Sequence, residues 1–275
     1  MKSFSVLMSI YIKEKPEHLR QCFDSIIYNS ILPNEIVIVK DGPLTEELEA
    51  VLSEYIDSYN ELLKIVKIEH NVGLGNALKE GMQHCSNEII ARMDTDDICA
   101  PNRFEKQLDC FDNMPDLSIV GSNISEFINS IDNIVSRRIV PENHTEICEY
   151  LKKRCPFNHM TVMFKKSEVE KAGGYLDWHY NEDSYLWVRM YLTGAQFYNI
   201  QEDLVFARID DSTFRRRGGY KYYKSERNLF KFMRKNKIIG AFAYFKAKCV
   251  RFIAYVLLPN KLREWAFKKF LRKKQ

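Results

Sequence analysis

The chain has 275 residues, 45% of them apolar and 13% aromatic, enough for one large domain with a sizeable core. That composition excludes a disordered chain, a coiled coil or a repeat array. The formal charge of +4 conceals an asymmetry: residues 1–211 hold 21 Lys/Arg against 35 Asp/Glu, net −14, and residues 212–275 hold 20 against 2, net +18. An acidic body with a basic tail points to an anionic surface as partner. The seven cysteines form no CxxC and no zinc-spaced Cys/His cluster, so reduced thiols are expected, with neither a disulfide framework nor a zinc site. Residues 1–8 run into a short apolar strand rather than a signal peptide, which leads us to expect a cytoplasmic protein.

In chain order, Phe4–Tyr11 reads as a buried strand and Pro16–Tyr28 as a helix opened by proline in its first turn. Glu35–Lys40 is a β-branched strand that runs into the turn Asp41-Gly42-Pro43, and Leu44–Ser58 is a second helix. Strand Ile65–Ile68, short helix Gly75–Gly81 and strand Glu88–Met93 follow. Short strands alternating with helices predict βαβ units and a parallel sheet. A helix over Phe104–Met114 leads to a strand at Ile119–Gly121, and the alternation then fades. Ile134–Val140 and His159–Phe164 read as strands, Lys166–Ala172 as a short helix, and a new helix begins at Glu182-Asp183.

In such sheets ligands bind beyond the carboxyl ends of the strands. Those positions are polar here, and Asp94-Thr95-Asp96-Asp97 is the sharpest of them. Three carboxylates within four residues repel one another unless a cation sits among them, and oxygen-only ligands suit Mg2+ or Mn2+ held with help from substrate phosphates. A solvated acidic turn capping the helix near Pro101 explains the same residues. Glu182-Asp183, at a helix start beside aromatics, can supply a general base or can simply be first-turn acids favoured by the helix dipole. Asn71-Val72-Gly73-Leu74-Gly75 fails as a dinucleotide fingerprint, because Leu78 takes the third glycine position; it is a close backbone approach to a sugar or phosphate, or an ordinary turn. Arg208 and Arg215-Arg216-Arg217 suit a pyrophosphate clamp or a solvated basic loop equally.

As an ordered set, SVLMSIYIKE with Tyr11, EIVIVKDGP with Asp41, NVGLGNALKEG, ARMDTDD, FNHMTVMFKKS and NEDSYLW resemble the family 2 glycosyltransferases of the GT-A fold, from Phe4 to about Tyr223. The resemblance implies an α/β, Rossmann-like mixed, mainly parallel sheet flanked by helices, divided as a catalytic domain over 1–223 and a basic amphipathic helical tail over 224–275. It also implies a nucleotide-sugar pocket. Tyr11 and Glu14 would lie against the uracil or ribose, Asp41 would bond the base, and Asn71, Gly73 and Lys79 would border the nucleotide. Asp94 would contact the ribose or the sugar and share the metal group. Asp96 would coordinate the Mn2+ or Mg2+ that bridges the diphosphate, supported by Asp97. His159 would lie near the donor or acceptor sugar, Arg215 near the phosphates, and Asp183 would be the base, with Glu182 beside it. Lys40-Asp41-Gly42 departs from the family's usual paired acids, which leaves the base contact to Asp41 alone. The implied reaction is an inverting, metal-dependent single displacement from a UDP-sugar.

Ile238–Leu258 is long and apolar enough to suggest a transmembrane helix, but Lys246, Lys248 and Arg251 interrupt it. An interfacial helix fits better, followed by another at Lys261–Lys273; packing of both on the catalytic body is the competing expectation. The QxxRW motif of processive synthases is absent. We therefore expect a peripheral enzyme at the cytoplasmic face of a bacterial inner membrane, without nucleic acid as partner. It would transfer galactose or glucose to a lipid-linked acceptor, GlcNAc-diphospho-undecaprenol, in O-antigen or polysaccharide synthesis. Two alternatives remain open: another donor (UDP-GlcNAc, UDP-GalNAc or dTDP-rhamnose) acting on a later glycan intermediate, and a nucleotidyltransferase.

Overall fold

The computed structural model describes residues 2–210 and 218–259, together with 262, 263, 265 and 272. The first half is β1 (Phe4–Ile10), α1 (Pro16–Ile27), β2 (Glu35–Asp41), α2 (Glu46–Ser58), β3 (Leu63–Ile68), α3 (Leu74–His84) and β4 (Ile89–Arg92). β5 (Ile98–Cys99), α4 (Arg103–Asn113), β6 (Leu117–Phe127), β7 (Ile134–Arg138), α5 (His144–Leu151), β8 (Met163–Lys165), α6 (Lys166–Lys171), α7 (Glu182–Leu192) and β9 (Gln196–Arg208) follow. Helices α8 (Gly219–Lys235) and α9 (Ala241–Phe252) come after the body.

The sheet runs β3-β2-β1-β4-β8-β6-β9-β5, with β7 beside β6. β1 to β4 are mutually parallel, and β8 is antiparallel to both β4 and β6. Two-residue alternation divides the core: Leu7, Val37 and Val39 face α3 and α7, while Val6, Met8, Ile36 and Ile38 face α1, α2 and α4. Helix starts follow local chemistry: Pro16 opens α1, and the Thr45 hydroxyl accepts from the Leu48 N–H at 3.3 Å to cap α2.

The expected strand at 119–121 is in fact eleven residues long and buried throughout. Its second half is polar, and each group finds a partner: the Ser125 hydroxyl donates to Asp203 at 2.7 Å, and Asn123 Oδ1 accepts from the Val140 N–H at 2.9 Å. Apolar periodicity cannot reveal such a strand. The expected strand His159–Phe164 also needs correction, because residues 159–161 form a 3-10 turn and only Met163–Lys165 pair in the sheet. The Thr161 hydroxyl donates to the Asn158 carbonyl at 2.8 Å and accepts from the Ser122 N–H at 3.0 Å, which holds the turn.

The expected helix over Ile238–Leu258 is two elements. α8 ends at Lys235, and Lys237 takes φ +60° before α9 and a π-helical turn over Ile253–Leu257. α8, which precedes both expected tail helices, buries Tyr223, Leu229, Phe230 and Met233, the last three in a cluster shared with the body. α9 buries only Ala247, and Arg251 anchors it by pairing with Glu226 of α8 at 2.7 Å. No helix of the described residues is long and apolar enough to cross a membrane. Most of the expected helix at 261–273 lies outside the described residues.

Candidate functional site

A cleft of about 600 Å³ opens at the carboxyl ends of β1, β2 and β4. Tyr11 and Glu14 line it from the turn after β1, Asp41 from the end of β2, and Asn71 and Gly73 from the loop after β3. Asp94, Asp96 and Asp97 come from the loop after β4, and His159, Glu182 and Asp183 from the opposite wall. Lys79 is the exception among the described candidates: it sits exposed on α3, away from the cleft, because that helix turns Ala77 and Leu78 to the core. Arg215 lies outside the described residues.

Asp41 is buried and organises the loop beside it. Its carboxylate accepts from the N–H groups of Val72 (2.7 Å) and Gly73 (3.0 Å) and from the Asn71 amide (3.0 Å). Gly42 follows at φ +88°, and a Cβ there would meet the Asn71 backbone nitrogen at 2.9 Å, so loop and strand approach too closely for a side chain. The structure thus gives Asp41 a loop-fixing task and sets Asn71 on it.

The carboxylate oxygens of Asp94, Asp96 and Asp97 lie within 4.8 Å of one another. Asp97 is buried and accepts from the Arg208 N–H at 2.8 Å; burial, reinforced by Asp96 and then Asp94, pushes its carboxyl well above the usual range. Bringing a divalent cation among the three would relieve that cost, so donor set and electrostatics fit Mg2+ or Mn2+. Asp94 is ion-paired to Arg92, a fully buried guanidinium from β4 whose Nε and Nη1 have no hydrogen-bond partner among the described residues. Arg208, read from sequence as one possible phosphate clamp, braces this wall instead: its Nε donates to the Asp96 carbonyl at 3.0 Å and its guanidinium covers the Phe127 ring at 4.6 Å.

On the facing wall α7 begins with Glu182 and Asp183. Asp183 Oδ1 accepts from the Ser184 N–H at 2.6 Å, and the Cys155 thiol donates to Oδ2 at 3.5 Å. Burial, then the Asp183 charge, pushes that thiol up to about 12, so it stays a donor. Burial and then Asp183 push the Glu182 carboxyl up to about 7, so this acid holds its proton near neutrality. His159 shares a 2.9 Å hydrogen bond with buried Tyr175, and burial, then Arg92, lowers it well below its ordinary value; it is a neutral imidazole. A Cβ on Gly75 would meet the Leu176 carbonyl at 2.9 Å and Glu182 Cβ at 3.1 Å, so the two walls meet there.

The sequence reading missed several lining residues. Trp178 and Tyr180 were visible as an aromatic run without an assigned place, and Trp178 packs on Tyr185 at 4.0 Å. Glu126 and Arg138 lie on strands with no signal of their own, and Tyr222 comes from α8. Buried Arg272 reaches back from the chain's far end to donate from Nε to Glu126 at 2.6 Å.

The cleft thus sets carboxylates from a sheet's strand ends opposite carboxylates from a helix start. The chain belongs to glycosyl transferase family 2: the family's sequence profile matches residues 5–169, more than half of its length. A Haemophilus influenzae protein described as an uncharacterized glycosyltransferase is 43% identical over 98% of this chain and 99% of its own. A UDP-Gal:alpha-D-GlcNAc-diphosphoundecaprenol beta-1,3-galactosyltransferase of Escherichia coli is 38% identical over 98% of this chain and 97% of its own. The crystal structure of S. aureus TarS 1-349 in complex with UDP-GlcNAc has the same fold, with a TM-score of 0.68 over 98% of this chain and 76% of that one at 15% identity. The chain is therefore a glycosyltransferase of the GT-A fold, which sets the nucleotidyltransferase reading aside.

Proposed function

We propose that this enzyme moves galactose or glucose from its UDP donor to GlcNAc-diphospho-undecaprenol, with inversion, in O-antigen or polysaccharide synthesis. The observation that carries the reading is the opposition of two sets of carboxylates across one cleft, Asp94, Asp96 and Asp97 on one wall and Asp183 on the other. The Escherichia coli relative's name supports the donor and the acceptor.

The nucleotide lies along the strand ends, against Tyr11 and Glu14, with the loop fixed by Asp41 closing over it. A divalent cation, held by Asp96 and Asp94 with Asp97 behind them, would offset charge on the departing UDP. Arg92 holds Asp94 in place and Arg208 holds Asp97. Asp183 takes the proton of the acceptor hydroxyl as that oxygen attacks the anomeric carbon from the face opposite UDP; the new C–O bond forms as the bond to the diphosphate breaks. Glu182, protonated over more of the neutral range than an ordinary carboxyl, leaves Asp183 as the base. Neutral His159 offers a hydrogen bond without charge beside the sugar.

The tail supports a peripheral position at the cytoplasmic face of the inner membrane. α9 exposes Phe242, Phe245 and Val250, and Ile253 and Leu257 continue that side beyond it, with Lys246 and Lys248 between. Aromatic side chains flanked by lysines suit an anionic lipid surface. The test is a screen of UDP-galactose, UDP-glucose, UDP-GlcNAc, UDP-GalNAc and dTDP-rhamnose against a synthetic lipid-diphosphate GlcNAc, with and without chelator. Turnover of a UDP-hexose that chelator abolishes is expected; transfer from none of the donors to this acceptor contradicts the reading.

A further inference from the structure

A second cavity of about 190 Å³ adjoins the cleft on the side of Asp183 away from the carboxylate trio. The two share Arg138, Tyr180, Asp183, Tyr222 and Arg272, while Arg154 and Tyr255 line only the smaller one. Arg138 closes β7, and Arg154 stands in the turn after α5 with its guanidinium 5.7 Å from the Tyr150 ring centroid. Cys155 links the first arginine to the base: its carbonyl accepts from Arg138 Nη2 at 2.9 Å while its thiol donates to Asp183 at 3.5 Å. Arg138 is thus one residue's width from Asp183.

Among the described residues neither Arg138 nor Arg154 is paired with a carboxylate, although Arg137, Arg251 and Arg272 nearby all are. Burial lowers the Arg154 guanidinium, and the charge of Arg138 lowers it further, so each cation raises the cost of the other. Among the described residues the cavity is lined by four arginines, Arg138, Arg154, Arg251 and Arg272, against two carboxylates, Asp183 and Glu226, and Arg251 already pairs with Glu226. That surplus of positive charge makes a site for an external anion, and the forked donors of Arg138 and Arg154 match phosphate oxygens.

We propose that Arg138 and Arg154 form the subsite for the acceptor's diphosphate, placing its sugar hydroxyl at Asp183. This rests on the lipid-diphosphate acceptor reading above. The site lies away from the Asp94–Asp97 wall, so the diphosphate it takes is the acceptor's rather than the departing UDP's. Its outer wall is α8 and Tyr255, the same tail whose neighbouring surface exposes Phe242 and Phe245, so a lipid-borne diphosphate enters from the side that suits a membrane.

The test compares Arg154→Gln and Arg138→Gln with wild type on two acceptors, a lipid-diphosphate GlcNAc and a phosphate-free alkyl glycoside of GlcNAc. The ratio of kcat/KM on the first to kcat/KM on the second should fall roughly tenfold to hundredfold, as expected for lost charge-assisted hydrogen bonds. Arg154→Lys should recover part of it. UDP affinity by calorimetry should stay within about twofold of wild type, since donor phosphates bind elsewhere. An unchanged ratio, or a loss confined to UDP affinity, overturns the proposal. A binding arm separates it from the functional reading: geranyl diphosphate titrated into the UDP-loaded enzyme. If wild type transfers to no diphosphate acceptor yet binds geranyl diphosphate in an Arg154-dependent way, the subsite stands and the acceptor reading fails. If turnover is present and geranyl diphosphate binds wild type and Arg154→Gln alike, the subsite fails alone.

Discussion

The wall that carries Asp94, Asp96 and Asp97 rests on strand ends, whereas the wall that carries Asp183 rests on a loop and a helix start. On the first, the parallel register of β1 with β4 sets the carboxylates, and the buried Arg92 guanidinium and the Arg208 backbone N–H hold them. The second is braced from outside: the Asn181 amide donates to the Ser225 hydroxyl of α8 at 3.0 Å, and that hydroxyl donates to the His179 carbonyl at 2.7 Å. A nucleotide and its cation need a fixed, charged cradle, which a sheet edge supplies. The wall around Asp183, where we propose the acceptor binds, is assembled from β7, the turn after α5, the residues leading into α7, and α8.

Breaking each wall should have a different signature. Asp183→Asn should lower kcat by about a hundredfold to ten-thousandfold while leaving UDP affinity near wild type, measured by radiolabelled-sugar transfer and calorimetry. Near-normal turnover by that variant removes Asp183 from the base role. Asp96→Ala should cost roughly a hundredfold in rate, and its UDP binding should no longer respond to added Mn2+. A variant that keeps a metal-dependent UDP titration contradicts the assignment of Asp96.

Gly75→Ala acts where the walls meet. The added methyl presses on the Leu176 carbonyl and Glu182 Cβ, which should destabilise the fold by about 1–3 kcal/mol in thermal melts and lower kcat more than it weakens UDP binding. The smallest effect is at Glu182. The folded carboxyl holds its proton up to about 7, whereas an unfolded glutamate releases it near about 4.3, so stability falls as pH rises through that window. Glu182→Gln should therefore raise Tm at pH 8 and change it little at pH 4.5. An equal gain at both pH values would point to packing rather than charge.

Much of the strand-end wall was legible in the sequence, because β1, β2 and β4 are largely buried apolar strands and the polar residues that line the cleft follow each one directly. The acceptor wall was less so. The polar half of β6 is buried because Asp203, Val140 and Ser136 satisfy it, a condition visible only once distant strands meet. Arg138 and Arg154 read as ordinary basic residues until folding brings them to one cavity. Lys79 erred the other way: it belongs to a motif-bearing segment, but helical rotation turns it to solvent. Helix α8 was folded into an undifferentiated tail because its charge obscured the apolar face formed by Tyr223, Leu229, Phe230 and Met233.

A single displacement in this cleft, with Asp183 opposite the departing UDP, inverts the anomeric carbon. It is tested most directly by the anomeric configuration of the product formed from an α-linked UDP-hexose on the lipid-diphosphate acceptor, read from the proton coupling constant by NMR. A β-linked product is expected. An α-linked product would contradict that displacement.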